Sequence, residues 1–143
     1  MVKIVEQWND QDSEYIRLKV IEHNLRCLGP RQITPTKKQS YIIRDEHDKI
    51  VGGITGTMYW QHLYIDFLWV DESLRGQDYG SQLIDSMEQY ARDEQCRLIV
   101  VDTFSFQAPA FYEKKGFVQV GVIEDFPASH AKYFYEKRLC QQE

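Results

Sequence analysis

The sequence predicts an α/β fold of the mixed α+β kind: a central, mostly antiparallel mixed sheet with a parallel β-α-β core and helices on both faces. Three observations predict it. Apolar runs of strand length recur through residues 40–70 and 97–139, and two other stretches repeat apolar residues at helical spacing. The joints between neighbouring runs are of two kinds, tight polar turns and one whole helix. A tight turn forces antiparallel neighbours, whereas an intervening helix permits a parallel crossover. The 143 residues are 43% hydrophobic and 27% charged, which is globular composition for about one domain. No repeat, low-complexity tract or Pro/Gly/Ser linker divides them, so one domain over residues 1–143 is expected.

Lys3–Trp8 reads as a first strand. From Ser13, a suitable N-cap, Leu18, Ile21, Leu25 and Leu28 fall on one helical face that Gly29-Pro30 stops. Residues 32–38, with Pro35, read as a loop. Ser40–Arg44 and Lys49–Trp60 flank the hairpin cluster Asp45–Asp48, and Leu63–Val70 follows two residues after Trp60. These three runs are expected to be antiparallel. Ser81–Glu94 carries Leu83, Ile84, Met87, Tyr90 and Ala91 on one helical stripe. Arg97–Phe104 is β-branched and short, as a buried strand should be. Gln107–Lys115 reads as a short helix ending at Gly116, where left-handed geometry is common. Phe117–Ile123 and Lys132–Leu139 complete the sheet as a pair.

Charge and cysteine usage narrow the function. Seventeen Lys+Arg against 22 Asp+Glu leave a net charge of −5, so no overall basic field points to nucleic acid. The start lacks a signal-peptide pattern and no run is long enough to span a bilayer, so no membrane partner is expected. Cys27, Cys96 and Cys140 are widely spaced and odd in number; they make neither a disulfide framework nor a CxxC pair, and a reducing cytoplasm is the natural setting. Four histidines without ligand spacing predict no metal site.

The segment Val70–Leu83 lies between a strand and a helix. Backbone N–H groups at a helix start, with the helix dipole behind them, favour an anion such as a phosphate. Gly76 and Gly80 allow close approach to the backbone. The pattern is neither a Walker loop nor GxGxxG. Arg75-Gly76-Gln77-Asp78-Tyr79-Gly80 resembles the acyl-CoA pyrophosphate loop of the GNAT N-acetyltransferase family, whose pattern is Arg/Gln-x-x-Gly-x-Gly/Ala. Ser105–Phe117 is similar to that family's Asn-x-x-Ala-x-x-φ-Tyr-x-x-x-Gly-Phe segment, and the element order is similar across essentially the whole chain. Two positions depart from the pattern: Asp78 stands at the first motif glycine, and Ser105 replaces the common Asn.

The resemblance implies transfer of an acetyl group from acetyl-CoA to a primary amine of a small molecule, by direct attack in a ternary complex. A non-catalytic acyl-CoA sensor and a protein or peptide acetyltransferase are the alternatives. It implies that Leu68, Trp69 and Val70 pair by backbone with the pantetheine arm, as an added strand would. Arg75, Gly76, Gln77, Asp78, Tyr79, Gly80 and Ser81 would cradle the diphosphate, with Ser105 and Tyr112 completing the cofactor contacts. Tyr112 would protonate the departing thiolate. Asp66, a carboxylate inside an apolar strand, would act as base or orient the amine; both roles stay open. Tyr59, Trp60, Tyr64, Phe104, Phe106 and His130, with Asp66 and Asp102, are expected near the acceptor cleft. A homodimer is implied by family analogy.

Overall fold

The computed structural model describes residues 1–30 and 32–139; Cys140 lies outside the described residues. The chain forms two compact units, Met1–Thr34 and Pro35–Glu143. The first is built on helix α1 (Asp10–Cys27), and the N-cap is Asn9 rather than Ser13. The Asn9 side chain accepts from Asp12 N at 3.0 Å, while Ser13 N already donates to Asn9 O at 3.0 Å. Asp10 and Asp12 in the first turn and Arg26 in the last suit the helix dipole. Lys3–Trp8 is not a strand. A strand needs a ladder partner, and this unit holds no other strand; instead Trp8 Nε1 donates to Asp10 and Gln7 to Asp12. Leu28 closes the helix, so Gly29-Pro30 falls just beyond its end.

The second unit holds a six-stranded sheet in the order β1-β2-β3-β4-β6-β5. Its strands are β1 (Lys37–Arg44), β2 (Ile50–Tyr59), β3 (His62–Val70), β4 (Leu98–Phe104), β5 (Val118–Glu124) and β6 (Ala131–Arg138). Strand β1 begins at Lys37, inside the stretch read as a loop, because Lys37 and Lys38 pair with Met58 and Thr57. The β1–β2 turn is held by Asp45, whose carboxylate accepts from His47 N at 2.8 Å and Lys49 N at 3.0 Å. In the β2–β3 hairpin the two turn residues, Trp60 and Gln61, both take positive φ (50° and 60°), the backbone a two-residue hairpin of this hand requires. Helix α2 (Tyr79–Asp93) joins β3 to β4, and that pair is parallel as expected. All other strand pairs are antiparallel.

Helix α2 buries Leu83, Ile84, Met87 and Ala91, with Tyr90 packed at the margin. The short helix α3 (Pro109–Lys114) buries Tyr112 in the same cluster and ends at Gly116, whose φ of 92° is left-handed as expected. Ile54, Leu63 and Met87 are wholly inaccessible. Gly56 lets the helix sit close to the sheet: a Cβ there would stand 3.2 Å from Leu63 Cδ1 and 3.3 Å from Met87 Cε. No helix of the described residues is long and apolar enough to cross a membrane. Met87→Ala, which opens a cavity beneath this contact, is expected to cost about 2–5 kcal/mol. Urea denaturation should show a lower midpoint with an unchanged slope.

Candidate active site

The site begins with a fault in the sheet. Thr55 pairs with Phe67 and Gly56 with Ile65, so Asp66 is an extra residue that bulges β3. A bulge bends its strand and breaks the in-out alternation. Leu63 and Ile65 face the core before it, whereas Leu68 and Val70 pack against the core after it. Parallel pairing with β4 is confined to His62–Tyr64. Beyond Tyr64, that edge of β3 has no ladder partner among the described residues, and a cleft of about 940 Å³ opens between the carboxyl ends of β3 and β4. Such a divergence is where open α/β sheets take ligands.

One end of the cleft is formed by the loop into α2. A 3-10 turn (Glu72–Leu74) is capped by Asp71, which accepts from Ser73 N at 3.1 Å. The Ser73 hydroxyl and amide hold the Asp71 carboxyl below its ordinary range. Gly76 then takes φ 80°, and its missing Cβ would meet nothing within 4 Å. Asp78 takes φ 68°, ψ 16° at the N-cap and makes no side-chain capping bond. Asp is one of the few residues that tolerates this conformation, so the loop keeps its shape without the expected glycine. Among the described residues, none of the amide N–H groups of Gly76 to Ser81 donates to a protein acceptor; the first to do so is Gln82, to Asp78 O at 3.1 Å. Arg75 lines the cleft and makes no ion pair there. Gly76 and Asp78–Ser81, five of the six residues with free amides, line the cleft beside the Arg75 guanidinium and the helix N-terminus, an arrangement that favours an anion.

The loop is fixed to α3. A Cβ on Gly80 would lie 3.5 Å from Phe111 Cζ. Lys115 Nζ donates to Ser81 Oγ at 2.6 Å and pairs with Asp85 at 2.7 Å. Tyr112 lines the cleft, is 8% exposed and packs edge-on to Phe111 and Phe117. Burial pushes its phenol up to about 12, and the nearby charge of Asp102 adds to the effect. Asp102 also lines the cleft; it accepts from the Tyr64 hydroxyl and pairs with Lys132 at 3.6 Å.

Asp66, Leu68–Val70, Arg75, Gly76, Asp78–Ser81 and Tyr112 all line this one cleft. Gln77 and Ser105 do not. The Gln77 side chain reaches back to Ser73 O at 3.5 Å. Ser105 Oγ accepts from Ala131 N at 3.0 Å, so its hydroxyl ties two loops together. Tyr59 and Trp60 sit at the β2–β3 turn, the opposite end of β3, because the cleft forms only where the strands part. Thr57, unremarked in the sequence, donates to Asp66 Oδ2 at 2.6 Å. Both side chains also line a second cavity of about 670 Å³ with Ser40, Thr55 and Tyr64. Only the bulge puts Thr57 beside Asp66, and a bulge leaves no mark in composition.

A mixed sheet splayed beside an amide-rich loop defines an acyl-CoA-binding transferase fold. The chain belongs to the acetyltransferase (GNAT) family, whose sequence pattern matches residues 4–117. It is 39% identical over 132 residues to the blasticidin-S acetyltransferase of Streptomyces morookaense, covering 92% of this chain and 93% of that one. An acetyltransferase crystal structure from Bacillus cereus ATCC 14579 superposes with a TM-score of 0.93 at 49% identity, over 96% of this chain and 98% of that one. A Bacillus anthracis Ames acetyltransferase solved with acetyl coenzyme A gives 0.64 at 25% identity, over 75% and 65%. The protein is accordingly an acetyl-CoA-dependent N-acetyltransferase.

The raised phenol has a consequence for stability. A tyrosine whose folded pKa lies above its unfolded value of about 10 binds its proton longer when folded. Its contribution is complete below pH about 10 and is lost as the pH climbs towards about 12. Melting curves between pH 9 and 11 should fall more steeply for the native protein than for Tyr112→Phe.

Proposed function

We propose that residues 1–143 work as one N-acetyltransferase domain that acetylates a primary amine of a small molecule by direct attack in a ternary complex. The observation that carries this reading is the free amides of Gly76 and Asp78–Ser81, residues that line the same cleft as Tyr112 and Asp66. The curated relative's small-molecule name, over nine-tenths of both chains, supports a small acceptor. The reading extends to a cytoplasmic location, from the cysteine usage, and to a homodimer, by family analogy.

In this reading the loop from Arg75 to Ser81 holds the diphosphate of acetyl-CoA, and the free edge of Leu68–Val70 holds its pantetheine arm. That places the thioester beside Tyr112. Asp66, held by Thr57, takes a proton from the incoming ammonium, directly or through water. The amine nitrogen forms the new C–N bond, the C–S bond breaks, and the sulfur carries away the electron pair. Tyr112 faces that sulfur as a hydroxyl donor. A thiol near about 8.5 lies well below a phenol near about 12, a gap of about 5 kcal/mol against full proton transfer. Tyr112 therefore stabilises the thiolate by hydrogen bonding as charge develops, and the sulfur regains its proton as it leaves the site.

Asp78 bears on the sensor alternative. A carboxylate beside a diphosphate is repulsive, yet Asp78 keeps the left-handed backbone that the loop needs. Both readings need that loop, and the enzyme reading is supported by Tyr112 and Asp66 lining the same cleft.

Thiol release from acetyl-CoA, followed with a thiol-trapping dye over a panel of small amines, tests the reading; binding of acetyl-CoA without turnover on any amine would select the sensor instead. Tyr112→Phe should lower kcat by about 10–10³-fold with little change in KM for acetyl-CoA. Because the phenol holds its proton to about 12, the rate should show no falling limb from Tyr112 below pH about 11. Asp78→Gly removes the repulsive charge and should tighten CoA binding by about 2–5-fold, measured by calorimetry at low and high salt.

A further inference from the structure

Beside the cleft, three phenylalanines form one parallel array. Phe104 ends β4, Phe106 follows in the loop to α3, and Phe126 comes from the β5–β6 loop. The Phe104 and Phe106 rings lie 5.3 Å apart and 5° from parallel; Phe104 and Phe126 lie 5.7 Å apart at 13°. Phe106 lines the same cleft as Tyr112 and Asp102. The array therefore begins in the site and runs out from it.

The array is held from below and behind. Lys132 Nζ sits 5.5 Å from the Phe104 centroid and 5.4 Å from that of Phe126, with Asp102 as its counter-ion at 3.6 Å. Ser105 N donates to Ala131 O at 2.8 Å and Ala131 N returns to Ser105 Oγ at 3.0 Å, stitching the two loops together. Phe126 N donates to His130 O at 3.0 Å, and the His130 ring stands edge-on to Phe106 at 5.0 Å. Yet Phe106 and Phe126 remain 56% and 45% exposed. Rings held this firmly, but left half in water, offer stacking area to something else. Lys132 already meets the attraction of Phe104 and Phe126 for a cation, and Phe106, half exposed where it lines the cleft, offers its π-face to a flat ring.

We infer that the acceptor carries a flat conjugated ring that stacks on the Phe104–Phe106–Phe126 array while its amine lies in the cleft near Asp66 and Tyr112. This rests on the proposed acetyl transfer, and names the substrate class for it. Asp102 is already engaged by Lys132 and the Tyr64 hydroxyl, so the carboxylate that an ammonium attached to such a ring would meet in the cleft is that of Asp66.

The test compares 2-phenylethylamine with 2-cyclohexylethylamine, which share chain length and ammonium and differ in ring flatness. Binding of each is titrated by ligand-observed NMR to the native protein and to Phe106→Leu and Phe126→Leu, with and without CoA. The flat amine should bind about 10-fold more tightly to the native protein, and the preference should shrink to about 2-fold or less in the variants. Both variants should keep the native rise in melting temperature on adding acetyl-CoA, which shows an intact fold and cofactor loop. Equal binding of the two amines, binding of neither, or a preference that both variants preserve would overturn the inference. If acetyl-CoA leaves the native melting temperature unchanged, the acetyl-transfer reading fails on its own, and the amine ratio without CoA still decides the array.

Discussion

One extra residue in β3 governs the rest of the site. With Asp66 bulged out, the strand turns away from β4 after only three paired residues, and the sheet opens where it would otherwise close. The same extra residue changes which side chains face the core, from Leu63 and Ile65 to Leu68 and Val70. The backbone edge of Leu68–Val70 is thereby freed while Leu68 and Val70 stay packed against the core. The freed edge lines the cleft.

The second constraint is the start of α2. Six amides without partners are costly if buried and dry, and they persist here because they face an open cleft. What keeps the loop from collapsing onto its own donors is its attachment to α3. Lys115 ties Ser81 and Asp85 together, and Lys137 donates to the Lys115 carbonyl at 2.9 Å while pairing with Glu88 at 2.5 Å. Phe111 fills the space above Gly80. The two motifs that stand apart in the sequence are thus one mechanical unit, so the position of Tyr112 is set together with that of the amides. The loop and Tyr112 are held together by the protein's own contacts, the kind of preorganisation by which positioning contributes to rate.

The strands, the stripe of α2, the left-handed Gly116 and the amide loop were legible because each follows from local chemistry: alternation, helical spacing, a turn or a cap. Errors fell where tertiary partners decide. Lys3–Trp8 has strand composition, but its unit holds no strand to pair with, and Trp8 and Gln7 turn to the helix start instead. Ser13 is a good cap by type, yet Asn9 lies one turn earlier and takes the role. The Ser105 hydroxyl accepts from Ala131 N at the start of β6, a tertiary contact that no local pattern announces. Tyr59 and Trp60, expected near the acceptor cleft, sit at the turn end of β3, where it still pairs with β4. The bulge, and with it the Thr57–Asp66 bond, depends on a register that no single strand encodes.

The burial of Tyr112 is at first sight a poor choice for an acid, since a phenol near about 12 gives up its proton less readily than one in water. A raised phenol is an advantage if the task is to hold a hydrogen bond rather than to transfer a proton. Asp102 lies close enough to oppose ionisation of the phenol, and its own charge is balanced by Lys132 and a bond from Tyr64. A donor that cannot ionise keeps the same form at every pH where an amine is free to react. In the proposed role, the dipole of this buried hydroxyl would act on a developing thiolate with little reorganisation. The carboxylate of Asp66 lies at the exposed end of the bulge, where water can carry a proton away. The two side chains proposed for proton removal and thiolate stabilisation thus sit in opposite environments, one exposed and one buried, and both line the one cleft.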